Sequence, residues 1–171
     1  MINGIDESAL RALVSSVQRD PELGRVQFSA ITEWREGAHA TTAVRHFIVP
    51  SDEPASLVGT DLAPNAVELL LSALGACLTV GFVYNAALLG LEIRNLTIEL
   101  DGKLDLASFL GLPGGTPAGY TEIRAGCRLE SDASTSALAA LAAQVIATSP
   151  VTDTLRRSVP VELTVNGEPV S

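Results

Sequence analysis

Residues 68–91 read ELLLSALGACLTVGFVYNAALLGL, and after Glu68 the next charged side chain is Glu92. So long an apolar run folds either as a helix across a bilayer or as a helix inside a protein. Its length fits a bilayer, but its composition and flanks favour the interior. Ser72, Gly75, Thr79, Gly81, Asn85 and Gly90 dilute it, Asp61 and Glu68 precede it, and Glu92 and Arg94 follow. Spanning segments usually carry Lys or Arg on one side. The run therefore predicts a central helix over about 66–89, buried on nearly all sides, whose small residues let neighbouring backbones approach closely. Asn65 as N-cap with Glu68 three residues on forms a capping box at its start.

The remaining elements arrange themselves around that helix. Leu10, Leu13, Val14 and Val17 recur at helical spacing over 6–18, and the stretch DPELG ends that helix. Residues 25–34 and 40–49 predict two strands joined by the turn REGAH, with Gly37 as its flexible position. Residues 50–64 form a loop. Leu96, Ile98 and Leu100 alternate with Thr97, Glu99 and Asp101, the period of a half-buried strand over 93–106. Residues 107–119 form a loop or insertion. A second alternation over 120–130 puts Ile123, Ala125, Cys127 and Leu129 on an inner face. An Ala-rich helix over 134–148 follows, then a short helix with Ser149 as N-cap and Pro150 at its first position. Residues 159–165 (VPVELTV) predict a last strand. The fold class is α+β, with antiparallel sheet and a long buried central helix. Residues 1–22 are expected to be a helical extension, and 23–171 the domain proper.

Composition excludes several functions. The chain of 171 residues carries a net charge of −9, which repels phosphate backbones, so nucleic acid is not an expected partner. No basic cluster addresses an anionic membrane, and the first residues lack the pattern of a signal peptide, so a cytoplasmic location is expected. Two cysteines in a chain this long are no disulfide framework. His39 and His46 form no ligand spacing with Cys, Asp or Glu, and no metal or cofactor is expected.

Three residues are candidates for chemistry on their own terms. Cys77 lies mid-helix, where cysteine usually serves as a small apolar residue. It is also about three turns from the helix N-terminus, too far for the helix dipole to activate it. A reactive Cys77 would need an arginine from elsewhere. Cys127 shares a strand face with apolar residues and reads as core. Glu68 is explained by capping alone. Glu68 and Cys77, nine residues apart, stand about 13.5 Å and half a turn out of phase on a straight helix. They can meet only if the helix bends or a second chain completes the pair.

The stretch LAPNAVELLLSALGAC resembles the core-helix motif of the osmotically inducible protein C and organic hydroperoxide resistance superfamily, x-P-x-x-E-L-L-x-A-A-x-G-A-C. The stretch SPVTDTLRRSVPVELTV resembles that family's C-P-V-x-x-x-L segment and final strand. The resemblance covers roughly residues 25–166. It implies an intertwined homodimer with two active sites at the subunit interface and a thiol-dependent peroxidase activity toward organic hydroperoxides. In that reading Cys77 attacks the peroxide and Glu68 orients an arginine. Arg35, in WREGA, matches an arginine that some members place in a turn between the first strands, with Arg45 as second choice. Where the family has a resolving cysteine before Pro-Val, this chain has Ser149. A serine cannot form a disulfide with a sulfenic acid, so the resemblance implies a one-cysteine cycle with an external thiol reductant. Leu74, Val80 and Tyr84 are expected to line a pocket for an organic tail. The alternative is a dimeric protein of the same fold that binds a small apolar ligand without chemistry.

Overall fold

The computed structural model describes residues 1–170. Helix α2 runs unbroken over Ala66–Leu89. Its start is the predicted capping box: the Glu68 backbone N–H donates to Asn65 Oδ1 at 2.9 Å, and Glu68 Oε2 accepts from the Asn65 backbone N–H at 2.8 Å. Gly90 ends it in the left-handed conformation (φ 70°), which glycine adopts at little cost.

One stripe of α2 is buried, formed by Leu74, Leu78, Phe82 and Ala86 at intervals of four, with Ala87 beside it. It packs on helix α4 (Thr135–Thr148), whose Leu141 and Val145 are fully buried. It also packs on a two-stranded antiparallel sheet of β4 (Asn95–Lys103) and β5 (Glu122–Glu130). Leu96, Ile98 and Leu100 face the core on alternate positions, as their period requires. Glycines set the separations. A Cβ at Gly81 would lie 3.0 Å from Val145 Cγ1, and one at Gly75 would lie 2.9 Å from Leu100 Cδ1. The expectation of cover on all sides is not met within one chain: Leu70, Val80 and Tyr84 of α2 are exposed.

The N-terminal helix α1 (Glu7–Arg19) sits at the C-terminal end of α2. Arg11 donates to the Leu88 carbonyl at 2.7 Å, and Asn3 bridges the Leu91 carbonyl and the Ile93 N–H at 2.9 and 2.8 Å. A cation at a helix C-terminus complements its dipole.

The first strands depart from the sequence reading. There are three, β1 (Ile31–Glu36), β2 (His39–Val44) and β3 (Phe47–Ser51), in an antiparallel meander. The second predicted strand divides at a turn where Arg45 takes φ 55°. Arg45 thus lies in the β2–β3 turn, with its guanidinium 5.1 Å from the Phe47 ring centroid, and not within a strand. No residue of this sheet is buried, and it makes no extensive contact with any other element. The long strand expected over 159–165 is reduced to β6 (Thr164–Val165), paired only with β7 (Glu168–Pro169). Within the insertion, a single turn of helix, α3 (Leu106–Phe109), is capped by Asp105.

Between β3 and α2 the chain folds around Asp52, which is 2% exposed. Its carboxylate accepts from the backbone N–H groups of Glu53, Thr60 and Leu62 and from Thr60 Oγ1. The Thr60 hydroxyl above all, then the backbone donors, hold the Asp52 carboxyl at about 2, below its ordinary value. The turn is closed by Gly59, where a Cβ would overlap the Glu53 carbonyl oxygen at 1.8 Å.

Candidate functional site

Pro150 determines how the site is built. A proline disfavours the helical conformation in the residue before it, and it suits the first position of a helix. Ser149 accordingly takes φ −76° and ψ 112°, ending α4 and capping α5 (Pro150–Arg156). The chain turns by 64° there. The turn directs the Ser149 side chain at α2, where its Oγ lies 3.2 Å from Cys77 Sγ. Cys77 and Ser149 are 72 residues apart in sequence and share one cleft.

That cleft, of about 470 Å³, opens along the α2 face next to the buried stripe. Val80, Tyr84 and Pro150 form its apolar walls, with Asn85 at one end. Asn85 Nδ2 donates to the Gly81 carbonyl at 2.8 Å. Val80 and Tyr84 therefore stand where the sequence placed them. Leu74 does not: it belongs to the buried stripe against α4 and the sheet, and its free edge lines a separate cleft with Leu70, Leu78 and Tyr120. Cys77 itself is half-buried, and Ser149 is 3% exposed.

Ser149 has a second neighbour that the sequence reading missed. Thr152 donates to Ser149 Oγ twice, from its backbone N–H at 3.2 Å and from its Oγ1 at 2.8 Å. The signal was present as a hydroxyl residue three positions after the N-cap, where cap partners sit.

The other candidates are placed elsewhere within one chain. Glu68 is occupied by the capping box and forms no ion pair among the described residues. Its charge reaches Tyr120, whose hydroxyl is pushed up by burial first and by Glu68 second. Arg35 lies on β1, its guanidinium bonded to Glu33 at 2.7 Å and to Thr41 Oγ1 at 2.8 Å. Neither Arg35 nor Arg45 lines the cleft beside Cys77. Because α2 is unbroken, no bend brings Glu68 and Cys77 together.

Cys127 pairs with Ile98 on the core-facing side of the sheet, the predicted face, yet the residue is exposed, while Ile123 and Leu129 of the same strand pack against the core. Its thiol is still partly desolvated, which pushes its pKa up and works against a role as a nucleophile. No group of three or more His, Cys, Asp or Glu suited to a metal ion occurs among the described residues. By length and composition α2 is the one described helix that alone could cross a membrane, but its stripe is committed to α4 and the sheet.

Comparison with known proteins bears on this arrangement. No curated protein matches the chain. Among solved structures, an OsmC-like protein from Mycoplasma pneumoniae superposes with a TM-score of 0.67 at 20% identity, over 77% of this chain and 88% of that one. A hydroperoxide resistance protein from Legionella pneumophila, described as OsmC and a predicted redox protein, gives 0.53 at 17% identity, over 77% and 92%. A putative organic hydroperoxide resistance protein from Vibrio cholerae, with captopril bound in one of its active sites, gives 0.57 at 15% identity, over 85% and 94%. These likenesses show the fold. The family profile described as OsmC-like protein matches residues 59–164, more than half of the sequence, and spans both Cys77 and Ser149. The chain belongs to the OsmC-like protein family.

Proposed function

We propose that the protein is a one-cysteine thiol peroxidase that reduces organic hydroperoxides, with Cys77 as the attacking sulfur. The observation that carries this reading is the half-buried Cys77 sulfur in an apolar-walled cleft, 3.2 Å from the hydroxyl that stands at the family's resolving position. The thiolate attacks the O–O bond of R–OOH. The terminal oxygen passes to sulfur as a sulfenic acid, and the remaining alkoxide takes a proton and leaves as R–OH. Two molecules of an external thiol then return the sulfenic acid to thiol, releasing water and one disulfide. Val80, Tyr84 and Pro150 hold the organic tail.

In this reading the functional unit is a cytoplasmic homodimer. The second chain would bring the arginine: Arg35 first, Arg45 second, oriented by Glu68. Two observations support a partner-supplied arginine. Glu68 and Cys77 are out of phase on an unbroken helix, and the sheet carrying both arginines is uncovered.

The test is consumption of cumene hydroperoxide with dithiothreitol as reductant. The wild type should consume it, and Cys77→Ser should fall to background, while Cys127→Ser should not. Mass spectrometry after a peroxide pulse should find dimedone-trapped sulfenic acid on Cys77. A wild type with no consumption and no adduct would instead favour a ligand-binding protein with an inert Cys77, the reading that the absence of a guanidinium from the cleft within one chain supports.

A further inference from the structure

We propose that Ser149 is a positioning residue for the Cys77 sulfur, its hydroxyl donating a hydrogen bond to Sγ that favours thiolate over thiol. The proposal rests on Cys77 as the peroxide-reactive atom and assigns a role to the hydroxyl that stands in place of a second cysteine.

Protons and lone pairs decide the direction of this bond. A serine hydroxyl has one hydrogen and two acceptor lone pairs. Both lone pairs of Ser149 Oγ are taken, one by the Thr152 backbone N–H at 3.2 Å and one by Thr152 Oγ1 at 2.8 Å. Its hydrogen has one acceptor left among its bonded neighbours, Cys77 Sγ at 3.2 Å. At 3% exposure, water does not compete for it. A protonated Cys77 would point its hydrogen at an oxygen with no lone pair to spare. A thiolate receives the hydroxyl hydrogen instead, and a hydrogen bond to the charged form favours that form.

Backbone geometry fixes the direction of the bond. Pro150 holds Ser149 in extended conformation, and Thr152 is buried in the first turn of α5. The same oxygen that caps α5 is thus clamped by α5, and its hydrogen is aimed at α2. An alanine here removes the donor, whereas a threonine retains it along with the capping oxygen.

The experiment uses full-length protein carrying Cys127→Ser, so that Cys77 is the sole thiol, and follows the pH profile of iodoacetamide alkylation. Adding Ser149→Ala should move the profile to higher pH. It should also slow alkylation at neutral pH by about threefold, the loss of thiolate being partly offset by the higher reactivity of a more basic sulfur. Ser149→Thr should restore the parent profile. Thr152→Val, which frees one lone pair on Ser149 to accept from S–H, should shift it in the same direction by less, and it serves if Ser149→Ala does not fold. Profiles that superimpose for the parent and the folded variants would overturn the proposal. A Ser149-dependent profile in a protein that leaves cumene hydroperoxide unconsumed would reject the peroxidase reading and leave the donor role standing. Superimposed profiles in a protein that does consume it would reject the donor role alone.

Discussion

The part built from α2, α4, α5, β4 and β5 and the smaller part built from β1–β3 with residues 159–165 both carry apolar side chains, and those side chains have opposite fates. In the first, Leu141 and Val145 are fully buried, and the two glycines of α2 bring α4 and β4 into contact. In the second, Ile31 is 69% exposed, Trp34 74%, Ile48 65% and Val161 91%. The second part has a strand pattern and hydrogen-bonded strands but nothing to bury them against. Secondary structure needs only local pairing, whereas burial needs a second surface, and one chain supplies that surface to only one of its parts. Exposed apolar area of this extent marks an interaction face. A second copy, joined as the family resemblance implies, is the occupant we propose.

The largest effect is expected in the packed part of the molecule. Leu141→Ala should cost about 2–5 kcal/mol, the range for leucine truncation in a packed core, read as a lower urea midpoint. A cost under about 0.5 kcal/mol would mean that the core is not where the structure puts it. Next, the Cys77–Ser149 pair lies wholly within one chain. Ser149→Cys should therefore form an intramolecular disulfide under peroxide, stabilising by about 2–4 kcal/mol, seen by non-reducing mass spectrometry. A variant that stays fully reduced would remove the site from this cleft.

The incomplete part gives a smaller, conditional effect. Ile48→Asp should be nearly silent in a lone chain and should dissociate a dimer that covers the sheet. Sedimentation of wild type as a monomer at micromolar concentration would end the dimer reading. The smallest effect belongs to Asp52. Its folded value of about 2 lies below the ordinary 3.8, so its contribution is present above the ordinary value and is lost as pH falls through about 2. Amide exchange at Thr60 and Leu62 should stay slow at pH 4 and accelerate toward pH 2. Acceleration already complete at pH 4 would contradict the carboxylate clasp.

The helices were legible where they carried their own punctuation: Asn65 with Glu68, Ser149 with Pro150. The alternation of Leu96, Ile98 and Leu100 gave β4 for the same reason. The turn at Arg45 was hidden because a left-handed arginine has no composition signal, unlike Gly37 eight residues earlier. VPVELTV alternates as a strand should, but a strand exists only beside a partner strand, and that requirement is invisible in a local pattern. At the candidate site, the meeting of Cys77 with Ser149 followed from a motif resemblance and a helix cap. The Thr152 contribution did not, because which lone pair a hydroxyl fills is settled only in three dimensions.

The order of elements along the chain has a consequence for synthesis. Residues 66–89 leave the ribosome well before α4, whose Leu141 and Val145 cover them, has been made. At about 5–20 residues per second, the interval from residue 89 to residue 148 is about 3–12 s. Through that time the nascent chain displays a helix long and apolar enough for a bilayer, with only β4 and β5 arriving to shield it. The capping box and the scattered Gly, Ser and Thr residues let the segment fold early as a helix while keeping it a poor candidate for insertion. Slowing elongation between codons 90 and 135 should therefore raise the fraction of chains captured by chaperones, without changing a single residue of the finished protein.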